Sequence, residues 1–186
     1  MLRIQTRTPL SQQLVDVEPG RIRQACHCAA GLAAARRGGG RAWIALDVDQ
    51  TILSGGSPIP EVVALVRSLR ESTHCAVVVI TARPQSSLEF TSKQVGKLFP
   101  FDHLECRAAS VPPTFAAVGA FKMGERRKWE RAFAAPPILC VGDSYSDHFV
   151  CEGDVQPFDL LQKLAGEDHA AVWQHKGSVH LKLPSN

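Results

Sequence analysis

The chain of 186 residues has no apolar run approaching the roughly 20 residues a membrane-spanning helix needs. Its first residues, Met1-Leu2-Arg3-Ile4-Gln5-Thr6-Arg7, lack the long apolar centre of a secretory signal. These absences predict a soluble, cytoplasmic protein without a membrane partner. Net charge is small, +3 at neutral pH. That alone does not mark a nucleic-acid binder, because such proteins concentrate basic residues in patches. Cysteines are present but unpatterned, at Cys26, Cys28, Cys75, Cys106, Cys140 and Cys151. A disulfide framework is disfavoured without a secretory signal. Cys75, Cys106 and Cys140 lie in or beside apolar runs, where cysteine acts as a small hydrophobe. Cys26-His27-Cys28 has a single residue between its thiols and no second ligand pair, so it reads as part of a helix rather than a zinc site.

What is present is alternation. The length suits one globular domain able to bury about two-thirds of its unfolded surface. Arg21 to Arg37 has few helix breakers, with Ile22, Cys26, Ala29, Ala30 and Ala33 at helical spacing, and Gly38-Gly39-Gly40 ends it. Residues 1–40 are therefore expected as an N-terminal helical extension packed on the core, and 41–186 as the main domain. Within that domain, strands are expected at Arg41–Leu46, Cys75–Ile80, Leu104–Arg107 and Ile138–Val141, with Ser178–Leu183 as an edge strand. Helices are expected at Pro60–Leu69, Ser86–Leu98, Gly124–Ala134 and Phe158–Leu164. Strand and helix in regular succession imply a mostly parallel sheet in a three-layer α/β/α sandwich, Rossmann-like. Active sites in such sheets lie beyond the carboxyl ends of the strands.

Every chemically suggestive group falls at such an end. The run Ala42-Trp43-Ile44-Ala45-Leu46 stops at Asp47-Val48-Asp49-Gln50-Thr51. In a strand, alternate side chains share a face, so Asp47 and Asp49 are expected to point the same way. Two such carboxylates repel unless a cation or a shared proton compensates. Thr81 follows Val77-Val78-Val79-Ile80, Lys122 precedes the predicted helix at Gly124, and Asp143 ends Leu139-Cys140-Val141-Gly142. Asp147 follows about one helical turn later.

In this order the groups resemble the four motifs of the haloacid dehalogenase (HAD) superfamily of phosphohydrolases. Asp47-Val48-Asp49-Gln50-Thr51 resembles the first, Thr81 the second, Lys122 the third, and Gly142-Asp143-Ser144-Tyr145-Ser146-Asp147 the fourth. Trp43-Ile44, Thr81-Ala82-Arg83-Pro84, Thr91, His103-Leu104-Glu105-Cys106-Arg107, Phe121-Lys122-Met123-Gly124-Glu125-Arg126-Arg127-Lys128 and Leu181-Lys182-Leu183-Pro184 are similar to the class B-type acid phosphatase and plant vegetative storage protein family. The chain departs from that family at Gln50, where an acid is usual, and in the short segment from Thr51 to Pro60.

The resemblance implies an HAD-like fold, essentially capless, since neither the Thr51–Cys75 nor the Thr81–Lys122 interval holds an independent cap. It implies a Mg²⁺-dependent phosphomonoester hydrolase working through an aspartyl-phosphate. Asp47 would be the nucleophile and Asp49 the acid–base. Thr51, Thr81, Ala82, Arg83 and Lys122 would hold the phosphorylated substrate, with Thr81 and Lys122 also acting on the phosphoryl group. Asp47, Asp143, Asp147 and the backbone carbonyl of Asp49 would serve the metal. Lys128 and Arg126 compete with Lys122 for its role. An open site suits a large phosphorylated substrate, or a small one enclosed by the N-terminal helix or by a second copy in a homo-oligomer. The alternatives are a phosphatase of a nucleic-acid end or phosphoprotein, suggested by Arg36, Arg37, Arg41, Arg126, Arg127, Lys128 and Arg131, and a non-catalytic storage or interaction protein. Nucleic acid is not the favoured partner.

Overall fold

The computed structural model describes residues 19–36, 40–144, 147–148, 171–175 and 177–183. The apolar stretches pair into a six-stranded sheet in the order β5-β4-β1-β6-β8-β7. These strands are β1 (Trp43–Leu46), β4 (Ala76–Pro84), β5 (His103–Arg107), β6 (Leu139–Gly142), β7 (Ala171–His175) and β8 (Ser178–Lys182). All neighbours run parallel except β7, which pairs antiparallel with β8. A separate hairpin joins β2 (Leu53–Ser54) to β3 (Ser57–Pro58). It is the only sheet inserted between the first aspartates and the next helix among the described residues, so no cap domain stands there.

Helices cover both faces. The first face buries Ile44, Leu46, Val77, Val79, Leu139, Val141, Val179 and Leu181. Against it lie α1 (Pro19–Ala35), α2 (Pro60–Thr73) and α3 (Leu88–Gly96), through Ile22, Ala25 and Ala29, through Val62, Val66 and Leu69, and through Val95. The second face buries Trp43, Ala45, Ala76, Val78, Ile80 and Cys140 under Phe121, Trp129 and Phe133 of α4 (Phe115–Phe133). Each fully buried aliphatic contributes about 1.5–3 kcal/mol, whereas an exposed ion pair such as Lys93–Glu89 contributes about 1 kcal/mol at most. The two apolar faces therefore hold the sandwich together. Among the described residues, no helix is long and apolar enough to cross a membrane.

Three sequence expectations are corrected. The helix expected from Gly124 begins at Phe115, because Thr114 caps it, its Oγ1 accepting from the Ala117 amide at 3.3 Å. Gly119 and Gly124 are carried within it, and Lys122 lies inside the helix rather than ahead of it. The strand at Ser178 is interior, paired with β6 on one side and β7 on the other. Its alternating polar residues are all buried, so the pattern marks a polar interior and not a solvated edge. The stretch from Ser86 opens with a 3₁₀ turn at Gln85–Ser87 before α3. The helix expected at Phe158–Leu164 lies outside the described residues.

At the opposite end of the sheet from the aspartates, Asp102 ties three segments. It accepts from the Val77 amide at 2.9 Å, from Arg70 Nη1 at 2.7 Å and from Arg41 Nη2 at 3.4 Å. Burial alone would push its carboxyl up, but the Val77 amide and Arg70 outweigh burial and hold it below its ordinary value. A depressed acid stabilises the fold above the unfolded value of about 3.9 and loses that contribution as pH falls through the folded one. Asp102→Ala should therefore cost about 1.5–3 kcal/mol at pH 7. The deficit should persist at pH 5 and shrink below about pH 4, as read by denaturant unfolding at each pH.

Candidate active site

The carboxyl edge of the sheet places the acids. Asp47 is the first residue past β1, and its amide still donates to the Val141 carbonyl at 3.0 Å, which fixes its backbone to β6. By strand alternation it continues the face of Trp43 and Ala45, toward α4. There the buried Lys122 places Nζ 3.1 Å from Asp47 Oδ1 and hydrogen-bonds Asp147 Oδ1. Of the three basic residues weighed, Lys122 is the one paired directly with Asp47. Lys128 pairs with Glu105 and Glu125 at the surface, while Arg126, one turn beyond Lys122, lines the small cavity beside Asp47.

Asp147 is shaped by a tight turn after β6. Its amide donates to the Ser144 carbonyl at 3.0 Å, and its Oδ2 accepts from the Ser144 amide at 3.1 Å. The side chain lies over Gly142, where a Cβ would come within 2.3 Å of Asp147 Cβ. Only glycine fits there. Tyr145 and Ser146 of this motif lie outside the described residues.

Asp47, Asp143 and Asp147 bring carboxylate oxygens within 4.8 Å of one another. Burial, then Asp147, pushes the Asp143 carboxyl up to about 6. Burial, opposed by Lys122, pushes Asp47 up to about 7. For Lys122, burial works against its charge, but Asp147 and Asp47 prevail and hold the ammonium above its ordinary value. Asp47 Oδ1 is buried and receives no aligned hydrogen bond, its approach to Lys122 being an ion pair outside hydrogen-bond geometry. Three clustered carboxylates with hard oxygen donors, one of them an orphaned oxygen, fit a divalent cation such as Mg²⁺.

The second aspartate is elsewhere. β1 ends at Leu46 and the chain turns, with Val48 carbonyl accepting from the amides of Thr51, Ile52 and Leu53, and Gln50 in the left-handed region at φ 55°. Strand alternation thus stops before Asp49, and the expectation that the two acids share a face fails. Asp49 has a 57% exposed side chain gripped by Arg83, with Nη2 to Oδ1 at 2.6 Å and Nε to Oδ2 at 2.9 Å. Its carboxylate lies outside the acid cluster; the metal role expected of it rests on its main-chain carbonyl.

Thr81 is fully buried at the end of the regular part of β4, and its Oγ1 accepts from the Arg83 amide at 3.3 Å. The other Arg83 nitrogen, Nη1, reaches Gln94 Oε1 at 2.8 Å and Thr91 Oγ1 at 3.3 Å. Ala82 is half-buried between them. Thr51 is fully buried with no partner on its hydroxyl, beneath the turn rather than at the opening. Sequence reading weighed Arg126 as a competitor of Lys122, but missed the buried polar layer it shares with His148, His180 and Lys182 beside the acids. The available signal was the polar alternation of β8 and the four-residue step from Lys122 to Arg126.

No protein-family model matches the chain, and no curated protein matches it either. Solved structures that share its fold include two of one protein. One is the class C acid phosphatase from Bacillus anthracis, at 15% identity and a TM-score of 0.55, over 93% of this chain and 83% of that one. The other is that phosphatase with tungstate bound, at 15% identity and a TM-score of 0.52, over 94% and 82%. The chain thus has an HAD-like α/β fold.

Asp47 supplies a stability test. Between the unfolded acid value of about 3.9 and the folded value of about 7, the folded state holds a proton that the unfolded chain has released. Raising pH through that range therefore weakens the metal-free fold. Asp47→Asn should unfold later than wild type in EDTA at pH 8, by on the order of 2 kcal/mol. The two should converge near pH 4. Thermal scans at both pH values check it, and Mg²⁺ should stabilise wild type more than the variant.

Proposed function

We propose that this protein is a cytoplasmic, Mg²⁺-dependent phosphomonoester hydrolase that works through an aspartyl-phosphate on Asp47. One observation carries the reading: the buried Lys122 joins Asp47 to Asp147 within an acid cluster at the carboxyl edge of an HAD-like sheet. The structural neighbours named as acid phosphatases agree with it. The finer likeness to class B-type acid phosphatases and plant storage proteins rests on the motif residues.

In this reading an Asp47 oxygen forms a bond to phosphorus as the bond to the leaving oxygen breaks. Asp49, once one of its oxygens leaves Arg83 and takes up a proton, would give that proton to the leaving oxygen, then take one from the water that attacks phosphorus and releases phosphate and free Asp47. Asp49 is suited to this exchange because it stands at the opening, while Asp47 lies in the floor. Lys122 steadies Asp47 and offsets negative charge developing on the phosphoryl oxygens. Thr81 Oγ1 already accepts from the Arg83 amide, which leaves its hydroxyl proton to donate to a phosphoryl oxygen. Asp47 and Asp143, with the Asp49 carbonyl, would hold Mg²⁺, and Asp147 would orient Lys122 and the ion's surroundings. Bound there, the ion supplies charge neutralisation for the crowded carboxylates and the phosphoryl group.

A small phosphomonoester is favoured over a nucleic acid. Arg126 is buried, Arg36 is bonded to the carbonyls of Pro136 and Gly177, and Lys128 is paired with two glutamates. A basic surface assembled from these residues is therefore much reduced. The non-catalytic reading is disfavoured by an intact Asp47–Lys122 pair.

Purified protein should hydrolyse an aryl phosphate only when Mg²⁺ is present. Asp47→Asn should lower kcat by about 10³-fold or more, consistent with loss of a nucleophile, while remaining folded. A panel of small phosphate esters, phosphopeptides and phosphorylated oligonucleotides, each with Mg²⁺ and with EDTA, decides the matter. Absence of turnover across that panel would rule out a hydrolase.

A further inference from the structure

We infer that Arg107, on the edge strand β5, is a positioning residue that sets Arg83 and, through it, Asp49; this rests on the hydrolase reading above. β4 and β5 pair residue for residue up to Thr81 and Cys106, and the next pair is Pro84 and Arg107. Ala82 and Arg83 therefore have no partners across the ladder. Proline at residue 84 supplies no amide hydrogen for the pairing, so the strand bulges at this point. Bulges beside active sites re-aim a side chain, and here the re-aimed residue is the arginine that grips Asp49.

An unpaired loop of two residues has no ladder to hold its shape. Arg107 supplies the missing bonds from its side chain. Its Nε donates to the Ala82 carbonyl at 3.1 Å, and its Nη1 donates to the Val111 carbonyl. Ala82 belongs to the bulge, whereas Val111 belongs to the segment leading into α4, the helix that carries Lys122. One planar guanidinium thus ties the Thr81-Ala82-Arg83 segment to the approach of the lysine helix. A fork with fixed angles suits two carbonyls on separate segments, and a lysine ammonium would reproduce it only in part. From the bulge Arg83 spreads over Thr91, Gln94 and both oxygens of Asp49, so a shift of its backbone would be transmitted to the acid–base group.

The test combines kinetics with a readout that needs no turnover. In Arg107→Met, kcat/KM for an aryl phosphate with Mg²⁺ should fall about 10–100-fold, the range for a displaced catalytic group. Arg107→Lys should fall between that variant and wild type. The double variant Arg107→Met/Arg83→Met should be no slower than Arg83→Met alone, since both act through one group. In ¹⁵N-labelled protein, the Arg83 Nε–H resonance, assigned by its loss in Arg83→Met, should lose its protection from solvent exchange in Arg107→Met and Arg107→Lys. An unchanged Arg83 resonance in either folded variant, or losses that multiply in the double variant, would overturn the proposal. If wild type turns over no phosphomonoester, the hydrolase reading fails, while the resonance still decides whether Arg107 sets Arg83.

Discussion

A lysine buried between two aspartates governs the rest of this structure. Removing an ammonium and carboxylates from water costs several kcal/mol per ion after relaxation. That cost is tolerable only where opposite charges are close and their backbones cannot drift. Lys122 meets the requirement by lying inside α4, where hydrogen bonds hold it from both sides along the helix. Asp47 meets it through its amide bond to Val141, and Asp147 through its turn against Ser144. Gly142 follows from the same constraint, because the Asp147 carboxylate fills the space a side chain would need. Three acids crowd their carboxylate oxygens within 4.8 Å of one another, with Lys122 between two of them and Arg126 and Lys182 buried nearby. Crowded hard oxygens of this kind are compatible with a divalent cation.

The same constraint explains the two ends of one sheet face. Toward the amino ends of the strands, Trp43 packs beneath Phe133, and its indole donates to the Ala135 carbonyl at 2.8 Å. Toward the carboxyl ends, that face carries Asp47, and on β8 it carries His180 and Lys182. His148 meets His180, with Nδ1 atoms 3.3 Å apart, and approaches the Gly142 carbonyl at 3.5 Å. Burial first, then Arg126, pushes the His148 imidazole down to about 3. It therefore remains neutral near Lys122, Arg126 and Lys182, where another positive charge would be costly. A neutral imidazole can donate from one nitrogen and accept at the other. That versatility suits it to link β8 to the glycine beneath Asp147.

Much of this was legible in the sequence, for reasons that differ by element. The strands at Trp43, Ala76 and Leu139 were evident as short uncharged apolar runs, the one at Ala76 rich in β-branched residues. Asp47, Lys122, Asp143 and Asp147 were identifiable from their order along the chain, and the fold brings them together. The start of α4 was not legible, since Gly119 and Gly124 carry a helical penalty of about 1 kcal/mol each that tertiary packing overrides. β8 was misplaced because period-two alternation reports a difference between two faces, and cannot say whether the polar face meets water or buried ions. The division between Asp47 and Asp49 was hidden for a related reason. Alternation holds only while the sheet bonding lasts, and Asp47, still bonded to Val141, is the last residue it covers.

That stop gives the two aspartates different surroundings, and the difference is what the chemistry needs. An attacking group works best when its position is fixed and its charge is opposed by a cation. Asp47 has both, from Val141 and Lys122. A group that donates a proton and then receives one must reach the solvent side of the phosphorus. In the proposed hydrolysis that duty would fall to Asp49, which is exposed, but a free carboxylate on a turn would sample many positions. The bidentate hold of Arg83 removes that freedom, and Thr91 and Gln94 on α3 anchor the guanidinium in turn. The floor of the site is thus held by the parallel sheet, and its rim by a bulge that interrupts it. The two acids have separate surroundings because the sheet bonding ends after Asp47, and the turn at Val48 sends the next carboxylate outward.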